Sequence, residues 1–208
     1  MSEDYWIENN TLHFDDLYDK IVPMKIIHAM KKCNSIYFGM EFNKIIYAKR
    51  DRNYRIPKCI TTIIFSEFSF FNKSLISNEE SWLPPKLIKL VFGQLFNRPI
   101  DGLPESLEYL TFGEDFNQPV DNLPPNLKYL TFGEEFNKSV NYLPEGLIVL
   151  KFGNYFDQSI DNLPDSIQEL SLGAKFKRKI NKLPQSLEKL YIKGKLLEKQ
   201  DFQNFLSD

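Results

Sequence analysis

A chain of 208 residues with 26 Lys and Arg against 28 Asp and Glu has a formal net charge of -2, which gives no global drive toward nucleic acid or a membrane surface. No stretch approaches the roughly 18 continuous apolar residues of a membrane helix, and no basic, apolar, small-residue leader opens the chain. Cys33 and Cys59 are the only cysteines and lack metal or disulfide spacing, so the expected setting is a reducing compartment, the cytoplasm.

In chain order, Leu12, Phe14, Tyr18 and Val22 have the spacing of a strand and its following turn, which predicts an N-terminal edge coil. Pro23 with Ile26, Ile27, Met30 and Cys33 then gives helical spacing behind a proline suited to a first turn. Cys33 stands where later segments place leucine, so it is read as core. A degenerate unit follows at Ile36, Phe38-Gly39, Phe42-Asn43 and Ile46. It leads into a basic aromatic loop made by Tyr47, Lys49, Arg50, Arg52, Tyr54 and Arg55. The next unit, with Ile56-Pro57, Ile60, Ile63, Phe65, Phe71-Asn72 and Leu75, is expanded to 27 residues by two insertions, the second carrying Glu79, Glu80 and Trp82.

From Leu83 the pattern becomes regular. Leu-Pro recurs at Leu83, Leu103, Leu123, Leu143, Leu163 and Leu183, and Phe-Gly at Phe92, Phe112, Phe132 and Phe152, a period of 20 residues. Such self-similarity marks a solenoid whose unit buries its apolar face only against neighbours. Within Leu83 to Gly102, Leu90 and Phe92 alternate around Val91 as in a strand, and Gly93 is expected to end it with positive φ. Pro84 excludes a helix interior and fits an extended return path. Leu83, Leu87, Leu90, Phe92, Phe96 and Ile100 therefore point inward. The predicted fold is a leucine-rich-repeat-like right-handed solenoid of about nine coils, with one continuous parallel sheet on its concave face, extended convex segments and short capping helices. The C-terminal cap is expected from Phe202, Phe205 and Leu206, after a last strand at Leu190 and Ile192. The chain reads as a single domain: 1–82 as edge coil and degenerate repeats, 83–182 as regular repeats, 183–208 as last repeat and cap. Asn97, Asn117 and Asn137 form a turn column whose amides satisfy backbone groups of their own and the next coil. Asp157 and Lys177 take the same column, which predicts that the ladder weakens toward the C-terminus or points partly outward.

The unit L-P-x-x-L-x-x-L-x-F-G-x-x-F-N-x-x-I, as in Leu103-Pro104 through Phe116-Asn117 and Val120, resembles the FNIP repeat, a short relative of the leucine-rich repeat. The resemblance is strongest over 83–182 and looser over 29–75. It implies an array typical of amoebae and the giant viruses that infect them, often joined to an F-box and so to ubiquitin ligases. Here residues 1–82 read as degenerate repeats, leaving no room for an F-box of three helices. If the chain is viral, the host cytoplasm is its expected location.

The sequence offers no catalytic constellation. His13 and His28 are its only histidines and lack companions at metal-ligand spacing, so both are read as surface or edge residues. The glycines punctuate the repeat and form no phosphate loop or nucleophile elbow. Paired acids such as Glu114-Asp115 are neighbours in a turn, and the sequons at Asn72 and Asn137 fall on the repeat's own Asn column. No enzyme, cofactor or metal site is expected.

Function is therefore expected on the surface. Tyr109, Thr111, Tyr129, Thr131, Val149, Lys151 and Tyr191 face outward from the strands, and stacked tyrosines supply contact area with a polar tip. Their plainer role is to support neighbouring strands. The turns run from acidic Glu114, Asp115, Glu134 and Glu135 to basic Lys175, Lys177, Arg178, Lys179 and Lys182. Two readings follow: a non-catalytic adaptor that binds a protein on the concave sheet, or an RNA-binding accessory that uses the basic loop and the Lys-rich turns 175–182.

Overall fold

A computed structural model describes residues 4–18, 22, 24–44, 56–77, 80–197 and 199–202. An 11-stranded sheet runs through it in chain order, interrupted only by the small hairpin of β5 (Ile76–Ser77) and β6 (Glu80–Ser81). Nine of its strands are parallel: β2 (Thr11–Phe14), β3 (Ser35–Phe38), β4 (Thr62–Phe65), β7 (Lys89–Val91), β8 (Tyr109–Thr111), β9 (Tyr129–Thr131), β10 (Val149–Lys151), β11 (Glu169–Leu172) and β12 (Lys189–Ile192). The register follows the 20-residue period, with Leu90, Leu110, Leu130, Leu150, Leu170 and Leu190 aligned across the strands. Each of these leucines is fully or almost fully buried. The solenoid, its parallel sheet and its mostly non-helical return path are as the repeat dictates.

Two phenylalanine columns fill the coils. Phe92, Phe112, Phe132 and Phe152 stack at 5.5–5.7 Å, and Phe96, Phe116, Phe136 and Phe156 at 6.1–6.2 Å, with planes within 8°. Both columns continue backward through Phe65, Phe38 and Phe14 and through Phe71, Phe42 and Tyr18. On the outer face of the sheet Tyr109 and Tyr129 stand only 4.4 Å apart. Spacing thus grows from the sheet into the coil, each coil is a wedge with its thin end at the strands, and the sheet lies on the concave side. The leucines of the Leu-Pro openings pack less completely: Leu143 and Leu163 are buried, whereas Leu103, Leu123 and Leu183 are partly exposed.

The helix α1 (Met24–Met30) stands where the spacing of Ile26, Ile27 and Met30 predicts it, between β2 and β3, and Cys33 is buried behind it. Ile46 lies outside the described residues. Burial, and secondarily the neighbouring Cys59, pushes the Cys33 thiol above its ordinary range. Burial also pushes Tyr18 up to about 12, helped by the charge of Asp4.

Three expectations are corrected. Gly93, Gly113, Gly133, Gly153 and Gly173 do not adopt positive φ; among the described glycines only Gly102 and Gly194 do. They are glycine because the coils touch there: a Cβ on Gly113 would lie 2.1 Å from the Gly93 carbonyl oxygen. The Asn ladder passes through Asp157 undiminished and ends one coil later, at Lys177. The Oδ1 atoms of Asn43, Asn72, Asn97, Asn117, Asn137 and Asp157 accept in turn the backbone N–H of Asn72, Asn97, Asn117, Asn137, Asp157 and Lys177 at 2.9–3.3 Å. A carboxylate oxygen accepts as well as an amide oxygen, so only lysine ends the series.

The third correction concerns the ends, each of which carries an antiparallel hairpin strand that the expected edge coil and last strand did not include. β1 (Tyr5–Glu8) folds antiparallel onto β2 through Asn9 and Asn10, both at positive φ. β13 (Lys195–Leu197) folds antiparallel onto β12 through Lys193 and Gly194, likewise at positive φ. Both are two-residue turns of the primed kind. Past β13 the described chain holds a 3-10 turn at Lys199–Asp201 and then Phe202, which is helical and buried, as the expected C-terminal cap requires; Phe205 and Leu206 lie outside the described residues.

Candidate interaction surface

In a strand alternate side chains face opposite ways, so the sheet presents two outward columns flanking the buried leucines. One runs Thr62, Lys89, Tyr109, Tyr129, Val149, Glu169, Lys189, and the other His13, Tyr37, Ile64, Val91, Thr111, Thr131, Lys151, Ser171, Tyr191. Six of the expected partner-binding residues come together: Tyr109, Thr111, Tyr129, Thr131, Val149 and Lys151 form a patch three coils wide. The Tyr109 and Tyr129 rings are parallel within 2°. Lys151 reaches Glu169 at 2.7 Å and closes one side of the patch. Tyr191 lies two coils further on, beyond Ser171, and is not part of it.

The first half of the same face holds a surface that the sequence reading passed over. Trp6 stacks on His13 at 5.0 Å and 7°, and His13 meets Tyr37 at 5.6 Å. Ile64, Val91 and Thr111 continue this aromatic row and, with Tyr37, floor an open cavity of about 480 Å³. Phe68, 59% exposed, forms its wall together with Glu67, Gln94, Glu114 and Glu134. Gln94 Nε2 donates to Glu114 Oε2 at 2.8 Å, and Glu134 Oε2 accepts the Asn154 N–H at 3.0 Å. His13 is thus the middle of an aromatic stack, with its partner supplied by the N-terminal hairpin. The residues inserted before Phe71 were the available sign of the second feature, because they displace Phe68 outward from the repeat's own columns.

Beside this face the turns stand in one row, joined by backbone hydrogen bonds from Gln94 to Glu67, Asp115 to Gln94, Glu135 to Glu114, Tyr155 to Glu134 and Lys175 to Asn154. The acidic-to-basic gradient therefore lies along one edge. Its basic end is partly engaged within the chain: Lys175 Nζ sits 4.7 Å over the Tyr155 ring, Arg178 pairs with Asp157 at 3.8 Å, and Lys182 with Asp165 at 3.1 Å. Lys177 and Lys179 remain exposed. Just before β9, Lys128 Nζ donates a hydrogen bond to Glu108 Oε2 at 3.0 Å, which holds the ammonium above its ordinary range.

The second insertion folds as the β5–β6 hairpin. It buries Trp82, whose indole N–H donates to the Ser74 carbonyl at 3.0 Å. Tyr47, Lys49, Arg50, Arg52, Tyr54 and Arg55, and with them Glu79, lie outside the described residues. Among the described residues no group of three or more His, Cys, Asp or Glu could hold a metal ion, and no helix is long and apolar enough to cross a membrane.

The model of a family described as FNIP Repeat matches the chain in five overlapping segments, 71–115, 96–134, 116–155, 139–175 and 156–195. A solved structure, described as the crystal structure of CroV588, a novel circular LRR protein, from a giant virus, is similar at 35% sequence identity with a TM-score of 0.69. The similarity covers 91% of this chain and 31% of that one, so the chain spans about a third of that protein's length. No curated protein sequence matches the chain.

Proposed function

From the premise that the chain belongs to the FNIP-repeat family, we propose that it is a non-catalytic interaction scaffold that docks a protein partner on its concave sheet. The observation that carries this reading is the open cavity floored by Tyr37, Ile64, Val91 and Thr111 beside the exposed Phe68. It adjoins the Tyr109–Tyr129 patch through Thr111, so both halves of the face offer one contiguous surface. Aromatic anchors next to a cavity with a polar rim are what protein interfaces use. An adaptor in the cytoplasm, working as one solenoid over residues 1–208, is the role this surface suits. The wall of Glu67, Glu114 and Glu134 favours a partner segment that brings cations to an apolar anchor.

The test is capture from the native cell with three baits: wild type, Tyr109→Ala with Tyr129→Ala, and Ile64→Asp with Phe68→Ser. The expected result is a protein partner retained by wild type and lost from at least one variant of unchanged circular dichroism. The reading fails if all three baits capture the same proteins, or if salt-sensitive binding to single-stranded RNA is the only activity found.

A further inference from the structure

The two ends of the solenoid are complementary, and we propose that copies of this chain associate head to tail, β13 of one copy pairing with β1 of the next. The backbone sets the register. In an antiparallel pair, residues alternate between those bonded to their partner and those whose N–H and C=O face away. Asp15 N–H donates to Asp4 C=O at 3.1 Å, so Trp6 and Glu8 are bonded to β2, while Tyr5 and Ile7 turn their amides outward. At the other end the two-residue turn makes Ile192 and Lys195 a bonded pair. The Lys193 N–H faces back to Leu172, in agreement with this phase. Leu196 therefore turns its amide outward.

β1 and β13 both run opposite to the nine parallel strands, so in a head-to-tail stack they meet as a parallel pair. In such a pair one outward-facing residue sits between two on its neighbour. Leu196 would donate to the Tyr5 carbonyl and accept from the Ile7 N–H, standing opposite Trp6. The side chains agree with this register. Trp6 pairs with His13 and Leu196 with Tyr191, so both lie on the concave face, where they are 44% and 43% exposed. Ile7, 46% exposed, would cover Leu197.

Charge points the same way. Residues 4–18 carry Asp4, Glu8, Asp15 and Asp16 and no lysine or arginine, whereas β12 and β13 with their turn carry Lys189, Lys193 and Lys195 and no acid. A heterologous contact of this kind closes into a ring or extends as a filament according to the rotation per copy.

The test is sedimentation of the purified full chain over a range of concentration and salt. The expected wild-type mass rises with concentration at low salt and falls at high salt. Ile7→Pro and Leu196→Pro each remove a donor that faces away from its own hairpin partner, on edge strands where proline is tolerated, and each should weaken association by about tenfold or more. Mixed at equal amounts, the two variants should form a heterodimer, since the intact C-terminal edge of one meets the intact N-terminal edge of the other. A wild type that stays monomeric, a variant that still self-associates, or two monomeric variants that fail to pair would each overturn the proposal. Should either proline lower the circular dichroism, Ile7→Ser and Leu196→Ser, which keep the backbone donors and remove the apolar contacts with Leu197 and Trp6, should also weaken association, and variants that associate as wild type does would overturn the proposal.

Discussion

The carbonyl oxygen of Gly113 lies 2.1 Å from the place where a Cβ on Gly133 would stand. The repeat's glycine is therefore a spacing residue, through which one coil rests on the backbone of the next. Because the obstacle is backbone, no side-chain movement relieves it. Gly133→Ala is expected to cost about 1 to 3 kcal/mol or more. Gly146→Ala is the control: its Cβ would meet only the Pro125 carbonyl oxygen at 3.8 Å, so the change should be neutral or stabilising by under about 1 kcal/mol. Urea unfolding of the two variants separates the cases, and equal losses would count against a spacing role.

Leu130 is fully buried and lies in register between Leu110 and Leu150. Truncation to alanine leaves a cavity that two neighbouring coils share, at an expected cost of about 2 to 5 kcal/mol. Leu130→Asp adds an unpaired charge in the same place and should prevent the array from forming. An unchanged melting temperature for either variant would refute the register.

Asn97 Oδ1 accepts two donors from the next coil, the Asn117 N–H at 3.1 Å and Gln118 Nε2 at 2.9 Å. Asn97→Ala strands both and is expected to lower stability by about 1 to 3 kcal/mol. Asn97→Asp keeps the acceptor, as Asp157 does in its own coil, and should lose clearly less. Thermal unfolding of the pair decides whether the ladder or the amide's own donors matter.

Asp161 is a second inter-coil acceptor. Slight burial pushes its carboxyl up, but hydrogen bonds from Asn181, Ser159 and Lys182 outweigh this and hold it below the ordinary 3.8. A depressed folded value means that the stabilisation is present above the unfolded value and is lost as pH falls through the folded one. Asp161→Ala should therefore be less stable than wild type at neutral pH, with the gap narrowing below about pH 4. Melting curves across that range that run parallel would show the carboxylate contributes nothing.

The sequence by itself determined the coil. An apolar column that repeats every 20 residues can be buried only by stacking, so Leu130, Phe132 and Phe136 fix strand, register and concave face before any coordinates. The outward set that contains Tyr109 and Tyr129 follows from the same alternation.

What the tertiary structure decided lies where periodicity has no hold. Asn9-Asn10 and Lys193-Gly194 were turn signals in plain view, yet that each folds back a strand to close an end depends on pairing with the first and last coils. The glycine's role was hidden because contact between successive backbones, unlike a positive φ, leaves no trace within one repeat. The cavity beside Phe68 and the stack of Trp6, His13 and Tyr37 arise between coils, from an insertion and a hairpin brought to one face. Local pattern dictated what each coil must bury, and only the stacking of coils of unequal length settled what the sheet leaves exposed.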